Sequence, residues 1–210
     1  MIRNIIFDLD GTLLDTEYRA ITIKKTLLAN HGIEPTEDLL EKLTARKLKD
    51  VLPGLLEDQQ LVREVLDDYY HFAYDDIDYG RLCLPGSDEL LRKLKADGHT
   101  LALATISDRK KVDQVISQCH WEGLFSYITT LDDVSRSKPD PEIYLTVLER
   151  LGLDPQETVV IEDSLIGIQA AHDAGLKVIC RRERRMPMPQ PDADWYIDDL
   201  REAVALIENL

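Results

Sequence analysis

Two aspartates, Asp8 and Asp10, stand two residues apart directly after the apolar run Asn4-Ile5-Ile6-Phe7. A carboxylate at the first position can attack phosphorus and form an acyl-phosphate, which is covalent catalysis by aspartate. The second can protonate a leaving oxygen and then activate water. Two carboxylates side by side repel, so such a site needs a cation. The adjacent acids Glu162 and Asp163 follow the apolar run Thr158-Val159-Val160-Ile161. They could supply further oxygens for Mg²⁺, a hard ion that prefers carboxylates, carbonyls, water and phosphate. Lys138 would add positive charge for phosphoryl oxygens, and Thr105 a hydroxyl donor before a helix start. Each feature alone is commonplace: a Lys-Pro or Glu-Asp pair is usually surface, and a Thr at a strand end is often an N-cap. Their occurrence together, in order and at strand ends, carries the inference.

The elements that must bring these residues together are legible in the hydrophobic pattern. Asn4–Phe7 reads as a buried strand that stops in a turn at Asp8-Leu9-Asp10-Gly11-Thr12. From Thr16 to Gly80 apolar residues recur at helical spacing without a convincing strand, which predicts a small helical unit broken at His31-Gly32 and at Pro53-Gly54. Beyond Pro85-Gly86 helix and strand alternate. Leu90, Leu91 and Leu94 face one helix, and Thr100–Ala104 is a strand. Val112, Val115, Ile116 and Cys119 face the next helix, followed by a strand at Tyr127–Thr130. Asp140 as N-cap, Pro141 at the first position and Gly152 past the end frame a third helix. The strand at Thr158–Ile161, a helix over Ser164–Ala174, strands at Lys177–Cys180 and Trp195–Ile197, and a closing helix complete the chain. This alternation predicts an α/β fold, a parallel sheet wrapped on both faces. In such sheets ligands bind beyond the carboxyl ends of the strands, where Asp8, Asp10, Thr105, Lys138, Glu162 and Asp163 all fall.

Composition narrows the partners. The 210 residues include 25 Lys and Arg against 40 Asp and Glu, a net charge of −15. That balance argues against nucleic acid and anionic membranes, which are held chiefly by basic side chains. A small phosphorylated metabolite is still allowed, since a metal ion or one lysine reverses the local field. No apolar run approaches the roughly 20 residues of a bilayer span, and the N-terminal apolar stretch is too short for a signal peptide. These features predict a cytoplasmic protein, monomeric or weakly dimeric. Cys83, Cys119 and Cys180 lie far apart in sequence without metal-like spacing, which predicts buried thiols outside any disulfide. The cluster Arg181–Arg185, with Met186–Pro189 after it, reads as a solvated loop.

Asp8-Leu9-Asp10-Gly11-Thr12-Leu13 resembles the first signature of the haloacid dehalogenase superfamily, in its phosphatase branch of phosphoglycolate phosphatase and β-phosphoglucomutase. Thr105, Lys138-Pro139, and Glu162-Asp163-Ser164 with Gly167 resemble the second, third and fourth signatures, over Asp8 to about Gly175. The resemblance implies a Rossmann-like three-layer core (1–15 and 81–210) and a helical cap inserted after the first strand (16–80). It implies Asp8 as nucleophile, Asp10 as acid/base, and Thr105 and Lys138 on the phosphate. Mg²⁺ would be held by Asp8, the Asp10 carbonyl and Asp163, with Glu162 a ligand or its neighbour. The second Asp argues against dehalogenation. Ile106 departs from the second signature, which continues with Asn or a small residue there. Ala20 stands where mutase-like members carry a cap His, and Leu48 where they carry a cap Arg; Arg46, Lys47 and Lys49 are near enough to replace only the latter. His31 and His71, the remaining cap histidines, suit helix-end and surface roles. The implied function is hydrolysis of a small phosphomonoester through an aspartyl-phosphate. The alternatives are a sugar-phosphate mutase, with Arg109, Lys110 and Lys111 as a second anion grip, and a non-catalytic regulatory protein on the same fold.

Overall fold

A computed structural model describes residues 1–44, 48–74, 77–185 and 192–210 of the chain. Its centre is a parallel sheet of six strands: β1 (Asn4–Phe7), β2 (Thr100–Ala104), β3 (Tyr127–Thr129), β4 (Thr158–Glu162), β5 (Lys177–Arg181) and β6 (Trp195–Ile197). They lie in the order β3-β2-β1-β4-β5-β6. Near-continuous apolar runs such as Asn4–Phe7 and Thr158–Ile161 suit central strands covered on both faces. The order reverses direction between β1 and β4, where Phe7 pairs with Ile161. That reversal opens a crevice at the carboxyl ends of these two strands, the usual ligand site of Rossmann-like sheets.

The helices are α1 (Thr16–Asn30), α2 (Glu37–Leu43), α3 (Leu48–Leu55), α4 (Gln59–Tyr74), α5 (Ser87–Ala96), α6 (Arg109–Gln118), α7 (Glu142–Leu151), α8 (Leu165–Asp173) and α9 (Glu202–Glu208). Contacts divide the chain into two compact units. The larger holds Met1–Asp15, Tyr79–Glu183 and residues 192–210; the smaller holds Thr16–Asp78 with Arg184 and Arg185. On one face of the sheet Ile6, Ala102, Ala104, Val160, Val178 and Cys180 pack against Ile143, Tyr144 and Val147 of α7 and Ile168, Ala170 and Ala171 of α8. The alternate strand positions, Ile5, Phe7, Leu101, Leu103, Val159 and Ile161, are equally buried on the other. In the smaller unit α1 to α4 enclose their own core of Leu28, Leu43, Leu52 and Val65.

Two local expectations are corrected. The break at Pro53-Gly54 does not occur: α3 runs through both residues to Leu55. The interruption falls at Leu56–Asp58 instead, because the Asp58 carboxylate accepts from the Gln60 and Leu61 amides and so starts α4. The third helix begins at Glu142 rather than Pro141, with the Asp140 carboxylate accepting from the Glu142 amide at 3.0 Å. Lys24 of α1 is buried, and its ammonium donates to the Leu43 carbonyl at 2.8 Å, closing the end of α2. Arg46, Lys47 and the segment Met186–Pro189 lie outside the described residues.

Two glycines let the strand-end turns approach one another. Gly11 sits at φ +81°, and a Cβ there would lie 2.1 Å from the Asp163 carboxylate. Gly167, in the first turn of α8, has the Glu162 carboxylate against it; a Cβ would lie 1.5 Å from Oε1. Gly54, by contrast, is helical with open space around its missing Cβ. Opposite effects are therefore expected from the same substitution. Gly167→Ala should destabilise by about 1–3 kcal/mol through overpacking. Gly54→Ala should stabilise by about 0.5–1 kcal/mol through lower unfolded-state entropy. Urea titration of both variants checks the pair of signs.

Candidate active site

The site is built on one buried ammonium. Lys138 enters from the loop after β3, and its side chain is 1 % exposed. Its Nζ donates to Asp8 Oδ1 at 2.7 Å, Glu162 Oε1 at 2.9 Å and the Ala104 carbonyl at 3.0 Å. An ammonium has three protons, so all are used. These partners come from the ends of β1, β4 and β2, which are neighbours in the sheet. The Tyr144 ring of α7 lies beneath, its centroid 4.9 Å from Nζ. Burial alone would lower the Lys138 ammonium, but the Asp8 and Glu162 carboxylates more than reverse this and hold it well above the usual lysine range. Burial pushes the Asp8 carboxyl upward against the opposing pull of Lys138, and the Glu162 and Asp10 charges add to the rise.

Glu162 spends both oxygens on the protein. Oε1 takes Lys138, while Oε2 accepts from the Asp163 amide at 2.7 Å, the Ser164 amide at 2.6 Å and Ser164 Oγ at 3.0 Å. Ser164 Oγ in turn accepts from the Gly167 amide and caps α8. Asp163 takes a hydrogen bond from Thr12 Oγ1 at 3.1 Å, which ties the turn after β1 to the turn after β4.

Carboxylate oxygens of Asp8, Glu162 and Asp163 lie within 4.8 Å of one another, and all three residues are buried. An all-oxygen, anionic donor set of this kind fits a hard divalent cation such as Mg²⁺. The closeness of Gly11 to Asp163 fits too, since a side chain there would fill the approach to that carboxylate.

Asp10 has a different environment. Its carboxylate is partly exposed and accepts from Ser107 Oγ at 2.5 Å and from Lys111 Nζ at 2.6 and 2.8 Å. Thr105 is fully buried at the end of β2; its amide donates to the Thr129 carbonyl, and its hydroxyl accepts from the Ser107 amide at 3.1 Å. The structure thus brings all six sequence-predicted residues to the carboxyl edge of β1, β2 and β4.

Three contributions escaped the sequence reading. Lys111 pairs with Asp10, whereas the pattern suggested only a basic run after Asp108; Asp108 itself caps α6 by accepting from the Lys111 amide. Ser107 orients Asp10 from two residues beyond Thr105. The reading of Arg181–Arg185 as a solvated loop is corrected at its start. Arg181 ends β5 buried, donates through Nε to the Gly11 carbonyl at 2.6 Å and pairs with buried Glu183 at 3.0 Å. It reaches inward because the turn at Gly11 presents a carbonyl under the strand end. Alternation along β5 was the available signal, since Ile179 and Arg181 share a face.

A family model described as haloacid dehalogenase-like hydrolase matches residues 5–180. A phosphorylated carbohydrates phosphatase of Thermotoga maritima is 33 % identical over 179 residues, covering 83 % of this chain and 82 % of that protein. A bifunctional riboflavin kinase/FMN phosphatase of Arabidopsis thaliana is 34 % identical over 83 % of this chain, which spans about half of that longer protein (47 %). The crystal structure of a β-phosphoglucomutase from Clostridium difficile is 25 % identical with a TM-score of 0.70, covering 100 % of this chain and 98 % of its own. With its parallel sheet, its four ordered strand-end motifs and this match over most of its length, the chain belongs to the haloacid dehalogenase-like hydrolases.

Proposed function

We propose that the protein is a Mg²⁺-dependent phosphatase that hydrolyses a small phosphomonoester, such as a sugar phosphate, phosphoglycolate or a nucleotide, through an aspartyl-phosphate. The observation that carries this reading is the Lys138 ammonium seated on Asp8 at the sheet's switch point, beside three converging carboxylates. The helical unit Thr16–Asp78 is then the cap.

Lys138 holds one oxygen of Asp8, so the carboxylate is oriented and its other oxygen can attack phosphorus. The P–O bond to the leaving alcohol breaks, and Asp10, partly exposed and held by Ser107 and Lys111, gives that oxygen its proton. Asp10 then takes a proton from water, whose oxygen attacks phosphorus, releasing phosphate and restoring Asp8. Lys138 reaches a phosphoryl oxygen by exchanging one of its three partners, and the Thr105 hydroxyl supplies a further donor. Asp8, the Asp10 carbonyl and Asp163 would hold Mg²⁺, which when bound neutralises charge developing on the phosphoryl oxygens. Glu162, saturated by Lys138, Tyr144 and the start of α8, acts as organiser of that set rather than a ligand.

The mutase alternative is disfavoured by the residues it would need. His31 is bound to Asp68 at 2.8 Å, and His71 is exposed on α4. Of the proposed second anion grip, Arg109 is held by Asp133 and the Ile128 carbonyl and Lys111 by Asp10. These contacts engage His31, Arg109 and Lys111 elsewhere, which favours water as the acceptor. The intact set of Asp8, Asp10, Lys138 and Asp163 argues equally against a non-catalytic role.

Three outcomes are expected. Asp8→Asn, nearly isosteric but unable to form the acyl-phosphate, should lose at least about a thousandfold in kcat with an unchanged circular dichroism spectrum; near wild-type turnover would overturn the covalent route. Excess chelator should abolish release of phosphate from a panel of monoesters, Mg²⁺ should restore it, and Ca²⁺ should restore little because it relaxes octahedral geometry. With β-glucose 1-phosphate, Mg²⁺ and a trace of glucose bisphosphate, any turnover should appear as inorganic phosphate; glucose 6-phosphate forming faster than phosphate would make the enzyme a mutase.

A further inference from the structure

The fold brings together two cysteines that stand 36 residues apart in sequence. The Cys83 and Cys119 sulfurs are 3.1 Å from each other. The Tyr79 carbonyl lies 3.8 and 3.7 Å from the two sulfurs. Cys83 is partly exposed and Cys119 is buried at the end of α6. Cys83 is therefore the more accessible of the two, and its neighbour is placed to resolve the product. Cys180 is different: it is fully buried in β5, and burial pushes its thiol up to about 12.

We propose that Cys83 and Cys119 are a dithiol site that closes reversibly to an intramolecular disulfide when it meets a low-molecular-weight disulfide, R–S–S–R. The Cys83 thiolate attacks one sulfur of the reagent, forming a mixed disulfide and releasing RS⁻. The Cys119 thiolate then attacks the Cys83 sulfur and displaces the second RS⁻. Two cysteine thiols are oxidised, one reagent disulfide is reduced, and the two protons leave with the two RSH. A disulfide needs the sulfurs at about 2.05 Å, so from 3.1 Å they approach by roughly 1 Å.

The bond would join two pieces of chain that border the catalytic turn. Cys83 lies in a segment that runs antiparallel to Leu14. The Asp15 amide donates to the Leu82 carbonyl at 2.7 Å and the Leu84 amide to the Leu13 carbonyl at 2.9 Å. Cys119 ends the helix whose first turn carries Lys111, the partner of Asp10. Oxidation thus staples the segment beside residues 13–15 to the helix that holds Asp10. The site stands apart from the phosphatase reading, because the disulfide forms or fails to form whatever the substrate.

The experiment treats the folded full chain at low micromolar concentration with oxidised glutathione and follows thiol count, intact mass and non-reducing peptide maps. The expected result is loss of two of the three thiols, a mass lower by about 2 Da, one Cys83–Cys119 cross-linked peptide, and full reversal by dithiothreitol. Cys180→Ser should behave as wild type, whereas Cys83→Ser and Cys119→Ser should each give no intramolecular cross-link. The proposal is overturned if all three thiols still titrate, if glutathione stays attached to Cys83 without closure, or if the cross-link involves Cys180 or a second chain.

Discussion

The burial of the Lys138 ammonium is the constraint on which the rest of the site depends. Taking a charge out of water costs several kcal/mol even after relaxation, and only close opposite charge and hydrogen bonds offset it. Here Asp8, Glu162 and the Ala104 carbonyl take all three protons, and each sits at the end of a different strand. The offset exists only when β2, β1 and β4 are adjacent, parallel and in register. The ion pairs thus make the geometry of the strand ends and the survival of the buried charge one condition. They also set the local charge. Three carboxyl groups, Asp8, Glu162 and Asp163, converge on one ammonium, and burial with the neighbouring acids pushes the Asp8 carboxyl upward. In the proposed hydrolysis a divalent cation would relieve that excess of acid before a phosphoryl group approaches.

The second consequence is a division of labour between neighbouring acids. Glu162 and Asp163 are consecutive and both belong to the carboxylate cluster with Asp8, but they are anchored differently. Glu162 accepts from the amides of Asp163 and of Ser164, the N-cap of α8, as well as from the lysine, so its charge stabilises the approach to a helix start as well as an ammonium. Gly167 makes room for it. Asp163 is tied instead to Thr12, across the switch point. Arg181 fastens the same turn from the other side through the Gly11 carbonyl. The loop that follows Asp8 is therefore gripped from β4 and from β5, and its positive-φ glycine lets the chain pass close beneath Asp163.

Much of this was legible in the sequence because it rests on local chemistry. Apolar runs ending in Asp, Thr or Glu-Asp mark strands and their carboxyl ends, and a parallel sheet brings such ends to one edge. Pairings between side chains on separate elements were not legible. Nothing in Arg109-Lys110-Lys111 tells which cation meets Asp10; that depends on the Asp108 cap, which sets the rotation of α6. Arg181 sits in a basic run that reads as solvent-facing, and only the carbonyl at Gly11 gives its buried end a partner. Cys83 and Cys119 look unrelated until the return from the helical unit pairs with Leu14. The helix through Pro53 fails the local rule for the same reason: Leu48 and Leu52 are buried in the core of the smaller unit, and that packing outweighs one missing amide proton.

Asp8 and Asp10 show how far two residues can separate two carboxylates of the same type. With Leu9 fully buried between them, both project toward the crevice side of the turn, yet they meet different surroundings. Asp8 is enclosed, fixed by an ammonium that has no solvent, and pressed toward neutrality by burial and by Glu162. Asp10 is partly exposed (16 %) and held by a hydroxyl and a lysine that is itself a quarter exposed (26 %). A nucleophile needs a fixed oxygen and few competing water molecules, as Asp8 has. A group that gives a proton and later takes one back needs contact with solvent, which the partial exposure of Asp10 provides. In the proposed hydrolysis the same carboxyl chemistry would therefore serve attack at one position and proton transfer at the other, and the difference comes from environment, the general means by which paired acids acquire separate roles.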